Sequence, residues 1–180
     1  MSPVEAGPGA DTPRILVAAD TLFEDGADAP RPLEHTSAAF ERLGWIGQPV
    51  VIIGERLAGH RLPADPEDRI SWMRACLGAP DVAAAAFVVP DADRPNEATR
   101  REAVEGWRQL GEAWHADRLI TDRHSSVGPA RRAGLTVVRI GPRDPCPAPS
   151  CEHADHEARD LLDAVRCLLT ADAFGAPPGR

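Results

Sequence analysis

Lysine and tyrosine are both missing from the 180 residues, so all twenty cationic side chains are arginine. Without lysine the chain can form no Schiff base and has no lysine general base or lysine phosphate clamp. Long apolar runs are missing as well. None reaches the ~18 residues that a membrane span requires, so no membrane partner is expected. The first residues, MSPVEAGPGADTP, lack the basic and apolar regions of a signal peptide, which makes the cytoplasm the expected location. Positive charge is in deficit, with a net charge of −8, and this argues against a nucleic-acid backbone as partner. Small phosphorylated ligands remain compatible, because they read only local charge.

What is present fits one α/β domain. Hydrophobic residues make up 43% and charged residues 27%, ordinary values for a chain with a single core. Residues 1–12 are rich in proline and glycine without periodicity and are expected to be disordered, as are 172–180. The domain then spans 13–171, with a Pro/Cys-rich loop at 141–154 inside it. Short apolar runs at Ile15–Ala19, Val50–Ile53, Ala84–Val89, up to Leu119-Ile120, and from Thr136 through Val138 read as five buried strands.

Between the runs lie helical patterns. Leu33, Phe40 and Leu43 precede Gly44, a plausible C-cap. Asp65-Pro66 opens a second helix with Ile70, Met73 and Leu77 on its buried stripe. Asn96 caps a third, in which Ala103, Val104, Trp107, Leu110 and Trp114 form one face, and the tryptophans read as core. A last helix is expected from about Asp155, with Leu161, Leu162, Val165, Leu168 and Leu169 inward. Cys76 and Cys167 read as core residues on helix faces. Such alternation implies a parallel sheet covered on both faces. Right-handed crossovers then bring Asp20, Gly54, Asp91 and Asp122 to one edge.

The most informative stretch is Asp117 to Gly141, which reads as strand, acidic loop, short helix, glycine stop and strand. Asp122 falls at the carboxyl end of a buried strand, where ligands gather in open α/β sheets. Ser125 or Ser126 is expected to cap the helix, and Gly134 to end it. His124 is a possible proton donor, or an exposed loop histidine. Asp91 and Asp93 read as a solvated acidic loop or as spare metal ligands.

With Asp20 after the first strand and TDRHSSVGPARRAGL after the fourth, the order of elements resembles the haloacid-dehalogenase-like (HAD) hydrolase superfamily. The resemblance runs from about Arg14 to Gly141 and is strongest at Asp122 to Gly134. It implies a three-layer Rossmann-like fold of about five parallel strands with helices on both faces and no large cap domain. It also implies Mg²⁺-dependent phosphatase chemistry. By that resemblance Asp20 is the nucleophile and a Mg²⁺ ligand, Asp122 a second Mg²⁺ ligand, and Gly54 and Arg94 bind the substrate phosphate.

The motifs depart from the family pattern at three places. The acid expected two residues after the nucleophile is Leu22, the hydroxyl expected after the second strand is Gly54, and a second metal carboxylate is replaced by Ser126. An aspartate after a strand also serves as a turn or helix cap, the alternative role for Asp20.

A second constellation is Cys146, Cys151, His153 and His156. Two thiols and two imidazoles can supply a tetrahedral Zn²⁺ site, although the C-x4-C spacing is at the edge of the usual range. Free thiols and a Cys146–Cys151 disulfide are the alternatives. Two functions follow. One is a divergent hydrolase acting on a small-molecule substrate. The other is a pseudoenzyme that keeps the scaffold to bind a ligand or protein partner.

Overall fold

The computed structural model describes residues 13–18, 21–22, 32–57, 83–89, 97–141 and 152–173. Six strands form one sheet in the order β3-β2-β1-β4-β5-β6, and every pairing is parallel. They are β1 (Arg14–Ala18), β2 (Val50–Leu57), β3 (Ala83–Val89), β4 (Ala116–Thr121), β5 (Thr136–Ile140) and β6 (His156–Ala158). The helices are α1 (Thr36–Trp45), α2 (Glu97–Trp114), α3 (His124–Arg132) and α4 (Leu161–Ala173). Among the described residues no helix is long and apolar enough to cross a membrane.

Two cores flank the sheet. Ile15, Val17, Val50, Ile52, Ile120 and Val138 face α1 and α4, meeting Phe40, Leu43, Val165 and Leu168. Leu16, Val51, Ile53, Leu119 and Val137 face α2 and α3, where Trp107, Leu110, Val127 and Ala130 cover them. Successive strand residues alternate between the two cores, so a strand apolar on both faces reads as a continuous run. Trp107 is fully buried. Trp114 is half-buried and carries the Arg14 guanidinium 5.6 Å above its ring. Cys167 is half-buried on α4, and burial pushes its thiol above the ordinary range, with the Asp163 charge adding to the effect.

The five expected strands are present, and β6 adds a sixth at the edge. The expectation of a helix from Asp155 is corrected, since α4 begins only at Leu161. The reason lies in what Asp155 does. Its Oδ2 accepts the Val137 N–H at 2.8 Å, its Oδ1 accepts Arg131 Nε at 3.0 Å, and its own N–H donates to the Val137 carbonyl at 3.0 Å. A carboxylate used to close a sheet edge is not available to cap a helix. Asp160 does that instead, its Oδ1 accepting the Asp163 N–H at 2.8 Å.

Two further helix ends differ from the sequence reading. α1 runs one residue past Gly44, and Gly47 supplies the positive φ of the following turn, at 65°. α3 starts at His124 after Arg123, and neither Ser125 nor Ser126 caps it. Ser126 is buried within the helix, and the turn is held by Thr121, whose Oγ1 accepts the Arg123 N–H at 3.1 Å. Gly134 does end α3, with φ at 94° and its N–H donating to the Arg131 carbonyl. The helix expected from Asp65 and the cap at Asn96 lie outside the described residues.

Candidate functional site

The strand order reverses between β1 and β4, each of which begins a run of strands leading away from the other. In a doubly wound sheet that reversal opens a crevice at the carboxyl ends of the strands. A cleft of about 720 Å³ lies there. Thr21 reaches it from the end of β1, Asp122 and His124 from the end of β4, Arg139 to Gly141 from β5, and Arg159 and Asp160 from β6. Leu33, Glu34 and His35 close it from the start of α1.

Local folding explains each placement. Thr21 Oγ1 donates to the Ala18 carbonyl at 2.6 Å, which turns the chain at the end of β1. The Leu22 carbonyl then accepts the Leu33 N–H at 2.8 Å and Thr36 Oγ1 at 3.3 Å, tying α1 to the same turn. The Leu22 side chain is fully buried in the core on the α1 face. Position 22 therefore sends a hydrocarbon inward where the superfamily pattern has an acid. Asp122 is exposed at the mouth of the cleft.

Gly54 is not at the end of a strand, because β2 continues to Leu57 in register with β3. Ala18 pairs with Ile53, however, so Gly54 stands level with the residue that follows β1. Asp20, Asp91, Asp93, Arg94, Cys146 and Cys151 lie outside the described residues, as does Cys76. His153 is exposed, and its carbonyl accepts Arg131 Nη1 at 2.9 Å. His156 is half-buried in β6. Among the described residues no group of three or more His, Cys, Asp or Glu is arranged to hold a metal ion.

The residues that sequence reasoning missed are on the β5–β6 side. Arg139 is the cross-strand partner of Glu157. Its Nε donates to Glu157 Oε1 at 3.1 Å, and its Nη2 lies 2.8 Å from Oε2 as an ion-pair contact. The Arg139 side chain is only 6% exposed. Its Nη1 is 2.9 Å from His124 Nε2. A guanidinium only donates, so the ring nitrogen accepts and the imidazole proton resides on Nδ1. His124 is thus neither a plain loop residue nor alone, for His35 lines the same cleft. His35 adopts a left-handed backbone, φ 70°, as it enters α1. Arg159 is 84% exposed at the rim, with its Nε 3.4 Å from Asp163 Oδ2. The Arg159 backbone N–H, first, and then its side chain hold the Asp163 carboxyl below the usual aspartate range.

One signal for Arg139 was visible in the sequence. An arginine inside the apolar run Thr136-Val137-Val138-Arg139-Ile140 needs a partner if its strand is buried on both faces. Its partner was not legible, because a three-residue strand with one apolar residue carries no period.

No protein-family model matches the sequence, and no curated protein matches it either. Solved structures do match the fold. The magnesium- and phosphate-complexed D,D-heptose 1,7-bisphosphate phosphatase of B. bronchiseptica superposes with a TM-score of 0.62 at 17% identity, covering 88% of this chain and 99% of that one. The D,D-heptose 1,7-bisphosphate phosphatase of Burkholderia thailandensis gives 0.61 at 12%, over 88% and 99%. The cobalt-bound deoxy-D-mannose-octulosonate 8-phosphate phosphatase of Haemophilus influenzae gives 0.52 at 12%, over 90% of each chain. The chain has the HAD-like, Rossmann-type α/β fold, and at these identities the likeness is one of fold.

Proposed function

We propose that the chain is a divergent HAD-like hydrolase of the phosphatase type, acting on a small phosphorylated molecule. The observation that carries this is the position of Asp122, which stands in the cleft at the β1–β4 reversal of a fold shared along nearly the whole length of a phosphatase complexed with magnesium and phosphate. In this reading Asp20, following β1 on the other side of the reversal, attacks phosphorus and forms an aspartyl-phosphate that water hydrolyses. Gly54, which follows the β2 partner of Ala18, offers its backbone N–H to the phosphoryl oxygens, and Arg94 neutralises their charge.

The donor set suits a hard cation, because Asp20 and Asp122 would hold Mg²⁺ through carboxylate oxygens. Bound there, Mg²⁺ supplies charge neutralisation to the phosphoryl group. Zn²⁺ belongs to a separate proposal, the Cys146, Cys151, His153 and His156 loop, where thiolates and imidazoles are the suitable ligands.

The buried Leu22 side chain favours a second reading, a pseudoenzyme that keeps the cleft for binding alone. Position 22 can donate no proton to a leaving group, and Ser126 is buried where a further metal carboxylate would stand. If turnover persists, it falls most easily on esters whose leaving group needs no acid.

The test is turnover of 4-nitrophenyl phosphate with millimolar Mg²⁺, alongside the thermal melt with and without the ion. The hydrolase gives turnover, a Mg²⁺-dependent rise in melting temperature, and a loss of about a hundredfold or more in both Asp20→Asn and Asp122→Asn. Turnover that survives Asp20→Asn would sink the assigned chemistry. Absence of both turnover and Mg²⁺ stabilisation would favour the binding module.

A further inference from the structure

The cleft is not uniform in charge. Its carboxylate Asp122 stands at the end of β4, whereas two guanidinium groups, Arg139 and Arg159, enter from β5 and β6. Two acids share the cleft with them. Asp160 is committed to the α4 cap through the Asp163 N–H, and Glu34 lies beside His35, its Oε1 3.5 Å from the His35 Nε2. Arg159 is exposed at the rim, its Nε 3.4 Å from Asp163 Oδ2, and Arg139 is buried in the wall against Glu157.

That wall is poorly explained by stability. Taking an arginine and a glutamate out of water costs several kcal/mol, and apolar side chains of similar volume are often as stable or more so. The neighbouring strand positions Val137 and Val138 show that this sheet accommodates such residues. A guanidinium held in the cleft wall, with an exposed one at the rim, instead suits recognition of an anion. The His124 imidazole lies against the same guanidinium, its Nε2 2.9 Å from Arg139 Nη1.

We infer that the β5–β6 wall, with Arg159 as the contacting group and Arg139 as the fixed charge behind it, is a subsite for a second anionic group on the substrate. The inference rests on the proposed function in one respect, which is that it places the phosphoryl group at the β1–β4 reversal. Strands are spaced by ~4.8 Å, so β5 and β6 lie about 5 and 10 Å from β4. The ligand class is then a small phosphate monoester that carries a carboxylate or a second phosphate about 5–10 Å from the first.

The experiment measures dissociation constants by calorimetry on the full chain with metal chelated, a condition in which the proposed hydrolysis cannot run. Four ligands are compared, glycerol 3-phosphate with 3-phosphoglycerate, and fructose 6-phosphate with fructose 1,6-bisphosphate. Each pair differs by one anionic group. The expected result is at least tenfold tighter binding of one or both charged partners, and whichever pair shows it identifies the tail as carboxylate or phosphate. Arg159→Met, at an exposed position, should reduce that preference to less than threefold, and Arg139→Met should reduce it as well. Equal affinities within both pairs, or a preference unchanged in both variants, would overturn the subsite. A preference found in a protein without Mg²⁺-dependent turnover leaves the subsite standing while the hydrolase reading falls.

Discussion

Arg139 shows how a single residue can join the sheet to the cleft. It occupies an interior position of β5, is hydrogen-bonded and ion-paired with Glu157 on β6, and meets His124 at the start of α3. Three elements therefore depend on one guanidinium. Arg139→Met should be destabilising, because it strands the Glu157 carboxylate. The loss should be about 1–3 kcal/mol, short of the 3–5 typical of a fully buried pair, since the Glu157 side chain keeps 29% of its surface in water. Adding Glu157→Leu removes the stranded charge and should recover most of that loss. Chemical denaturation of the two variants checks the cycle. A double variant no more stable than the single would mean that the pair itself, and not the orphaned charge, sets the cost.

Elements were legible in proportion to the burial of their faces. β1, β2 and β5 are apolar on both sides, so they read directly as runs, and the Trp107 face of α2 read directly as a 3.6-residue period. β6 did not, since His156, Glu157 and Ala158 are placed by backbone pairing to β5 and by the Asp155 latch, neither of which leaves a hydrophobic pattern. Asp122 was legible because a carboxylate after a buried strand has a fixed place in such folds. Arg139, Arg159 and His35 were not, because they meet only through strand order and a long return of the chain.

Packing between elements also sets the size of the effect of two like substitutions. Gly111 lies in α2, where an added Cβ would sit 3.2 Å from the Ala116 carbonyl oxygen and 3.4 Å from Leu135 Cδ2. The helix turns there into β4 through His115, whose φ is 48°, so the backbone has little room to give. Gly128 lies in α3, where the added Cβ would meet only the Glu152 carboxylate, at 3.0 Å. That carboxylate pairs with Arg132 and is the free end of a side chain that can swing away. Replacing glycine by alanine inside a helix gains roughly 0.5–1 kcal/mol when nothing obstructs it. An alanine at position 128 would stand directly before Pro129, whose ring crowds the Cβ of a helical residue preceding it. Gly128→Ala should therefore change stability by less than about 0.5 kcal/mol, whereas Gly111→Ala should destabilise by about 1 kcal/mol or more. Melting temperatures lowered equally by the two would contradict the contrast.

Across the whole molecule, burial is greatest at the centre of the sheet, in β1, and falls away toward the β6 edge. β1 is paired on both sides, and Leu16, Val17 and Ala18 are fully buried, whereas β6 is a three-residue edge strand with a single neighbour. Regions with few buried apolar contacts open locally, well below the free energy of global unfolding. Amide hydrogen exchange should accordingly be slowest in β1 and β4, where it reports global unfolding. At His156–Ala158 it should be faster by orders of magnitude, through opening of the edge alone. Glu157 belongs to that softer strand and Arg159 follows it directly, so a ligand whose second anion binds there ties the edge to the rest of the sheet. Saturating 3-phosphoglycerate or fructose 1,6-bisphosphate should slow exchange at 156–158 while leaving β1 nearly unchanged, and the uncharged-tail partners should not. A single uniform slowing across β1 and β6 would show instead that the edge opens only with the whole fold, and that ligand binding reinforces the molecule without a local part for β6.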